Sequence, residues 1–425
     1  MPDLTPCIVL AATLSFLAGP PLGGEEQPLP DAAGGEVRRE YSLLFGGIDD
    51  PATYARAGLD LDKAMSDLYY YGIGRAIPPT IDAFAATAWQ VWWSFMTTIW
   101  PHEFGHWSRA RQIGGEFVFE RLSIPWPETR MDLPATRSLA EEALTSVGGF
   151  EINYLMRAMA LDDLYSRGYS FSDELIHSFI QGIYYPGYAW VVAPLVNGGW
   201  IDPADPDTWI HTMGDPVEST LLVFKSFTGR QPITGEGRVD PDLVAYYWES
   251  LIMSLAWTLL DPALYEGARA FNVDMRDNSG LVRSRMWGDP AFSWSYGTMF
   301  NASPLGYELY LVGRFQASGC YASAYLKYGR PFLNLGAGLA VPRLIEVGPV
   351  AAGGRLDYWY EGPYGQGIAL DTQVETSLGP AVGLVLGGGW KSAGYLVGRP
   401  LGQSWSLRGG LRLSFEPHIN VKSKK

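Results

Sequence analysis

Residues 403–415 read QSWSLRGGLRLSF. Trp405, Leu407, Leu411, Leu413 and Phe415 share one parity, and Ser404, Ser406, Arg408, Arg412 and Ser414 share the other. Side chains of an extended strand alternate between faces, so this stretch is a β-strand with one apolar and one polar face. The same period reaches back to about residue 290. In 306–317, Tyr307, Leu309, Leu311 and Phe315 oppose Glu308, Arg314 and Gln316. Segments 320–328, 331–340, 354–361, 366–377, 380–388 and 391–398 follow, and an aromatic-faced run, Phe292, Trp294, Tyr296 and Phe300, precedes them. Turns rich in Gly, Pro, Asn and Ser separate the segments. The pattern predicts about eight to ten strands of roughly nine to twelve residues. Strands of that length with one apolar face fit a closed antiparallel barrel.

Upstream the period changes. From about residue 80 to 285 the pattern is helical. Residues 81–100 (IDAFAATAWQVWWSFMTTIW), 174–196 and 242–260 are near membrane-spanning length, yet carry Asp82, Gln90, His177, Gln181, Glu249 and Ser250. Both buried helices and membrane spans fit them. Residues 8–17 (IVLAATLSFL) have the length of a signal-peptide core, followed by Ala18, Gly19, Gly23 and Gly24, although no Lys or Arg precedes them. The chain therefore divides into a signal peptide (1–24), a linker (25–40), a helical domain (41–285), a β-barrel (286–415) and a tail (416–425). The strand region resembles bacterial outer-membrane barrels, whose last strand often ends on an aromatic residue. Phe415 would be that residue, although ten residues follow it.

Composition limits the function. Charged residues make up only 18%, while 16 Trp, 24 Tyr and 50 Gly point to membrane contact. The net charge of −14 argues against nucleic acid. Of the two cysteines, Cys7 lies in the expected signal segment, so neither a disulfide nor a Cys-based metal site with Cys320 is expected.

The chemistry centres on residues 102–106, HEFGH. His102 and His106, four apart on a helix, share one face and can bind one metal ion. Glu103 then lies beside a metal-bound water as general base. Pro101 suits a first helical turn and Gly114-Gly115 a stop, giving a helix from about 101 to 113. A catalytic zinc site needs a third protein ligand. Glu151 fits a zincin pattern in which a Glu on a following helix completes the site. Asp162 and Asp163 are further carboxylates, and Asp261, ahead of Pro262, also suits a helix N-cap. His177, in an apolar helix, reads as an oxyanion stabiliser or a satisfied core histidine. His211 and His418 carry no motif. Arg111 reads as an ion-pair anchor or part of a solvated face.

The stretch 102–124, HEFGHWSRARQIGGEFVFERLSI, resembles the site-2 protease family of intramembrane zinc proteases. The matching pieces are HEFGH, Ala110-Arg111, Gly114 and Arg121-Leu122-Ser123-Ile124. Downstream, Gly149 and Asn153 match a family segment on its second core helix, with Phe150 in place of Pro. The resemblance implies Asp261 as the third zinc ligand, with Pro262 where the family has Gly. It covers about 80–270 and not the barrel. The combined expectation is an α+β protein, a helical zincin-like metalloprotease domain followed by an antiparallel β-barrel. It would be a zinc (Zn2+) endopeptidase acting on a peptide or protein at or within a membrane, in contact with lipid. It would sit in the cell envelope, in the outer membrane with the helical domain facing the periplasm, or in the inner membrane. The competing expectation is an outer-membrane channel or structural barrel with a helical plug and no catalysis.

Overall fold

The computed structural model describes residues 25–26, 38–47, 50–78, 80–121, 128–198, 214–233, 238–277, 281–289 and 291–415. The expected signal segment, most of the linker, Leu122–Ile124, His211, His418 and the tail lie outside the described residues.

The chain is α+β. Strands β1 (Glu25–Glu26) and β2 (Arg39–Phe45) lead into helices α1 (Pro51–Tyr71) and α2 (Asp82–Gln112). The hairpin β3 (Glu116–Arg121) and β4 (Glu128–Asp132) follows, then α3 (Leu139–Arg167), β5 (Tyr169–Phe171) and α4 (Ser172–Gly198). Next come α5 (Asp215–Thr228), α6 (Pro241–Leu259), α7 (Pro262–Asp277), β6 (Leu281–Arg283) and β7 (Arg285–Gly288). The rest is strands: β8 (Phe292–Ser303), β9 (Gly306–Ala317), β10 (Cys320–Pro331), β11 (Asn334–Val347), β12 (Val350–Glu361), β13 (Gly365–Ser377), β14 (Val382–Lys391) and β15 (Ser404–Phe415).

An 11-stranded antiparallel sheet runs β1-β7-β8-β9-β10-β11-β12-β13-β14-β15-β2. Strand β2, in the region expected to be helical, pairs with β15 from Phe45 opposite Gly409 to Arg39 opposite Phe415. Among the described residues no pairing joins the two ends of this order, so the expected closed barrel is an open sheet. Helix α1 packs on the edge strand β2, and α6 packs on β8, two strands in from the other edge.

The expected strand at 391–398 is a loop. Gly394 and Gly398 take positive φ (123° and 78°), and the Lys391 ammonium donates to the carbonyls of Gly394, Pro400 and Gly402. The alternation there reflects Tyr395 and Leu396 turning into the interior.

The two halves share cores. Tyr154 and Ala158 of α3 pack against Met299, Tyr310 and Val312 of the sheet, and Tyr321 joins Leu161, Leu164 and Tyr165. The Tyr321 hydroxyl also donates to Asp162 (2.7 Å). Helix α3 touches α1, α2, α4, α5, β8 and β10, and so forms the axis of the molecule.

Helix α2 is one unbroken 31-residue helix with Pro101 inside it, not at its first turn. Proline removes one intrahelical bond. Nearby, the Thr97 and Thr98 hydroxyls bond back to the carbonyls of Trp93 (2.7 Å) and Ser94 (2.5 Å). The Pro101 ring packs on Gly58 of α1, where a Cβ would come within 2.7 Å of it. The helix stops at Ile113, and Gly114 turns the chain with φ 78°.

Candidate metal centre

His102 and His106 lie on the α2 face that meets α3. Their rings are 4.8 Å apart, and both are almost completely buried. Close approach of the two helices requires glycine at three places. A Cβ on Gly105 would come within 2.2 Å of the Gly148 carbonyl oxygen. One on Gly148 would come within 2.6 Å of the Gly105 carbonyl oxygen, and one on Gly149 within 2.4 Å of the His102 ring. The helix axes are thus brought together where the histidines sit.

Helix α3 orients both rings. The Thr145 carbonyl oxygen, an acceptor only, lies 2.8 Å from His106 Nδ1, so that nitrogen carries the proton. Asn153 Oδ1 lies 2.8 Å from His102 Nδ1. The Asn153 amide nitrogen donates to Gln181 Oε1 (2.8 Å) and the Thr98 carbonyl (3.3 Å), so its oxygen faces His102 and accepts. Both imidazoles therefore turn Nε2 toward the same point.

Asp215 occupies that point. Its Oδ2 is 2.8 Å from His102 Nε2 and 3.3 Å from His106 Nε2. The three ligand atoms lie within 4.8 Å of one another. Asp215 opens α5 after Gly214 (φ 80°), and its side chain keeps 23% of its surface exposed. A carboxylate at a helix N-terminus also meets the favourable end of the helix dipole. The Tyr188 hydroxyl packs against Gly214, where a Cβ would come within 2.3 Å of it. Burial by itself would raise the Asp215 carboxyl, but His106 and His102 outweigh it and hold the group well below the usual carboxylate range. Burial and the neighbouring Asp215 charge push Glu218, one turn further along, up to about 7.

Glu103 follows His102 on α2 and is half-buried. Its Oε2 accepts from the Thr129 hydroxyl of β4 (3.0 Å). The β3–β4 hairpin is fastened to α2 by Phe119, whose ring meets Trp100 and Phe104 at 6.1 and 5.9 Å. The hairpin thus borders the site next to Glu103.

The other expected ligands are engaged elsewhere. Glu151 is fully buried against Arg109, with Nε–Oε2 2.5 Å and Nη2–Oε1 2.6 Å, and its Oε1 also accepts from the Tyr395 hydroxyl (2.7 Å). Asp261 is fully buried, pairs with Arg157 and caps α7 by accepting from the Ala263 N–H (3.1 Å). Both carboxylates are committed to buried guanidinium groups that would otherwise be unpaired. Asp163 pairs with Arg56 (2.9 Å). His177 is a buried core histidine, with Nε2 3.0 Å from the Gln181 amide nitrogen and Nδ1 3.5 Å from Asp62. Arg111 is exposed.

Asp215 was not among the expected ligands. The available signal was Gly214-Asp215-Pro216, an Asp-Pro helix start like the one at Asp261-Pro262. Nothing local separates the two, because their difference lies in what each carboxylate faces, Arg157 for Asp261 and the two histidines for Asp215.

In comparisons with known proteins, no family model matches the chain, and a search of curated proteins finds no match.

Proposed function

We propose that the protein is a metal-dependent endopeptidase, with His102, His106 and Asp215 holding a zinc ion and Glu103 acting as general base. One observation carries this reading. His102 Nε2, His106 Nε2 and Asp215 Oδ2 converge within 4.8 Å of one another, with both Nδ1 atoms held by α3. Two imidazoles with one carboxylate suit zinc while leaving a fourth position for water. With no metal between them, burial would lower the His106 pKa, but Asp215 outweighs it and pushes it up to about 10, so a proton takes that place. The histidine partners, Asn153 and Thr145, are of the kind that orient metal-binding imidazoles.

When bound, zinc would supply Lewis acidity and lower the pKa of its water to about 7. Glu103 takes the water proton as the oxygen attacks the carbonyl carbon, then gives it to the amide nitrogen as the C–N bond breaks. Thr129 occupies Glu103 Oε2 and leaves Oε1 for the proton. An extended peptide running beside the β3–β4 hairpin would bring its carbonyl to this position.

The competing reading, a channel or structural barrel, is less well supported. The inner face of the sheet is filled by α3 and by the loop carrying Tyr395 and Leu396, which favours anchoring over conduction.

Metal content and casein cleavage of the wild type and Glu103→Gln test the proposal. Both should bind zinc, and only the wild type should cleave. If neither binds zinc, the reading fails.

A further inference from the structure

Part of the outer surface, on the sheet and on the helices flanking it, is apolar, while charged side chains of the same elements are buried. On the sheet, the register sorts the residues into two faces. One outward row passes through Leu311, Leu326, Ala337, Tyr358 and Ile368, and the next through Ala324, Leu339, Leu356, Leu370, Trp390 and Trp405. Leu407 and Trp405 are 80% and 77% exposed. Among the outward positions of β10–β15, the charged side chains are Arg330, at the end of β10, and Arg343, in the bulge of β11. The inward positions hold Glu308, Lys327, Asp357, Glu361 and Lys391, all buried. Lys327 lies 3.0 Å from Glu308 and 3.6 Å from Glu361.

The helices flanking the sheet follow the same rule. Helix α1 buries Asp60, Asp62, Lys63 and Ser66 and exposes Ala57, Leu61, Leu68 and Tyr71. The first half of α2 buries Thr87, Gln90, Ser94, Thr97 and Thr98 and exposes Phe84, Ala88, Val91 and Trp92. Helix α4 exposes Ile183, Trp190 and Val191, and α6 exposes Ile252 and Leu259 while burying Glu249. These helices follow one another in contact from the edge strand β2 round to β8: β2 meets α1, α1 meets α2, α2 meets α4, α4 meets α6, and α6 meets β8.

We propose that this apolar outer surface contacts lipid acyl chains. Helices α1, α2, α4 and α6 would then complete, with the sheet, a mixed helix–strand wall that sits in one bilayer and encloses the axial helix α3. Three features favour lipid over a second protein chain. Exposed apolar side chains are found on the sheet and on four helices, whereas a single protein partner covers one side. Strands of 12 to 14 residues, tilted as in membrane barrels, cross a hydrocarbon layer of about 25–30 Å. Tyr328, Tyr358, Tyr360, Trp390 and Trp405 gather at the sheet end carrying the β10–β11, β12–β13 and β14–β15 connections, as an interfacial aromatic girdle would. No single described helix is long and apolar enough to cross a membrane, and α1 and the first half of α2 bury polar side chains.

The full chain, with Cys7 and Cys320 replaced by serine, tests this in phosphatidylcholine vesicles. Nitroxide labels at Leu339 and Leu386 report on the sheet, and labels at Leu61, Val91 and Ile252 report on the helices. Arg130 on the exposed hairpin is the aqueous reference. Leu68 and Trp92 replace Leu61 and Val91 where a label prevents folding. Relaxation by oxygen should exceed relaxation by a water-soluble nickel chelate at all five wall positions, with the reverse at Arg130. Nickel dominance at the helix positions would overturn the mixed wall and leave the sheet by itself in lipid. Nickel dominance everywhere would overturn lipid contact. Spin–spin broadening at the wall positions with a dimeric mass would assign the surface to a second copy instead.

Discussion

His102 Nε2 lies 2.8 Å from Asp215 Oδ2, across 113 residues of sequence. The contact exists because α5 ends its approach to α2 on a Gly-Asp turn, packed under Tyr188 and against α3. That one distance separates Asp215 from every other carboxylate considered for the site.

Asp215→Ala should abolish stoichiometric zinc binding, measured by elemental analysis of the purified protein. Glu151→Ala and Asp261→Ala should keep zinc wherever they fold. Each leaves a buried arginine without its partner, so each should lose about 3–5 kcal/mol of stability, read from denaturant unfolding. Zinc loss in Glu151→Ala or Asp261→Ala with Asp215→Ala unaffected would reverse the assignment.

Asn153→Ala should weaken zinc binding about 10–100-fold, because His102 loses the acceptor that fixes its tautomer and ring angle. Asn153→Asp keeps an acceptor at that position and should bind more tightly than the alanine variant. Competition with a chromogenic chelator would measure both, and equal affinities for Asn153→Ala and wild type would remove the orienting role.

Gly149→Ala places a methyl group within 2.4 Å of the His102 ring and should lose both metal and cleavage. Gly187→Ala, with no heavy atom within 4 Å of the new Cβ, is the matched control and should retain both. Comparison of zinc content in the two proteins decides the matter.

Acidification should release the metal. Both histidines must present an unprotonated Nε2 to the metal. In its absence burial would lower the His106 pKa, but Asp215 outweighs it and pushes it up to about 10, so protons compete with the metal below that value and affinity falls as pH drops. A zinc-release titration from pH 8 to 5 should therefore show affinity falling with decreasing pH. A flat profile would argue that the histidines are not ligands.

The sequence by itself determined the local patterns. The two-residue period predicts β9, β10, β12, β13, β14 and β15 within a few residues of their bounds and ends β11 seven residues early, and the four-residue spacing in HEFGH puts both imidazoles on one helix face. The glycines at 105, 148 and 149 are equally legible once the two helices are known to touch. Three things were decided only by tertiary structure. The first is the third carboxylate, since Asp215 and Asp261 both begin helices before a proline and differ only in what lies opposite. The second is the sheet, which the strand pattern suggested would close on itself. Instead β2 is recruited to one edge and β1 to the other, and no pairing joins them among the described residues. The third is the fate of residues 392–399, whose alternation looks like a strand until Lys391 pins the loop and Tyr395 reaches Glu151. Periodicity reports which side of an element is apolar. Which partner meets that side, and which carboxylate faces which cation, depends on contacts more than a hundred residues apart.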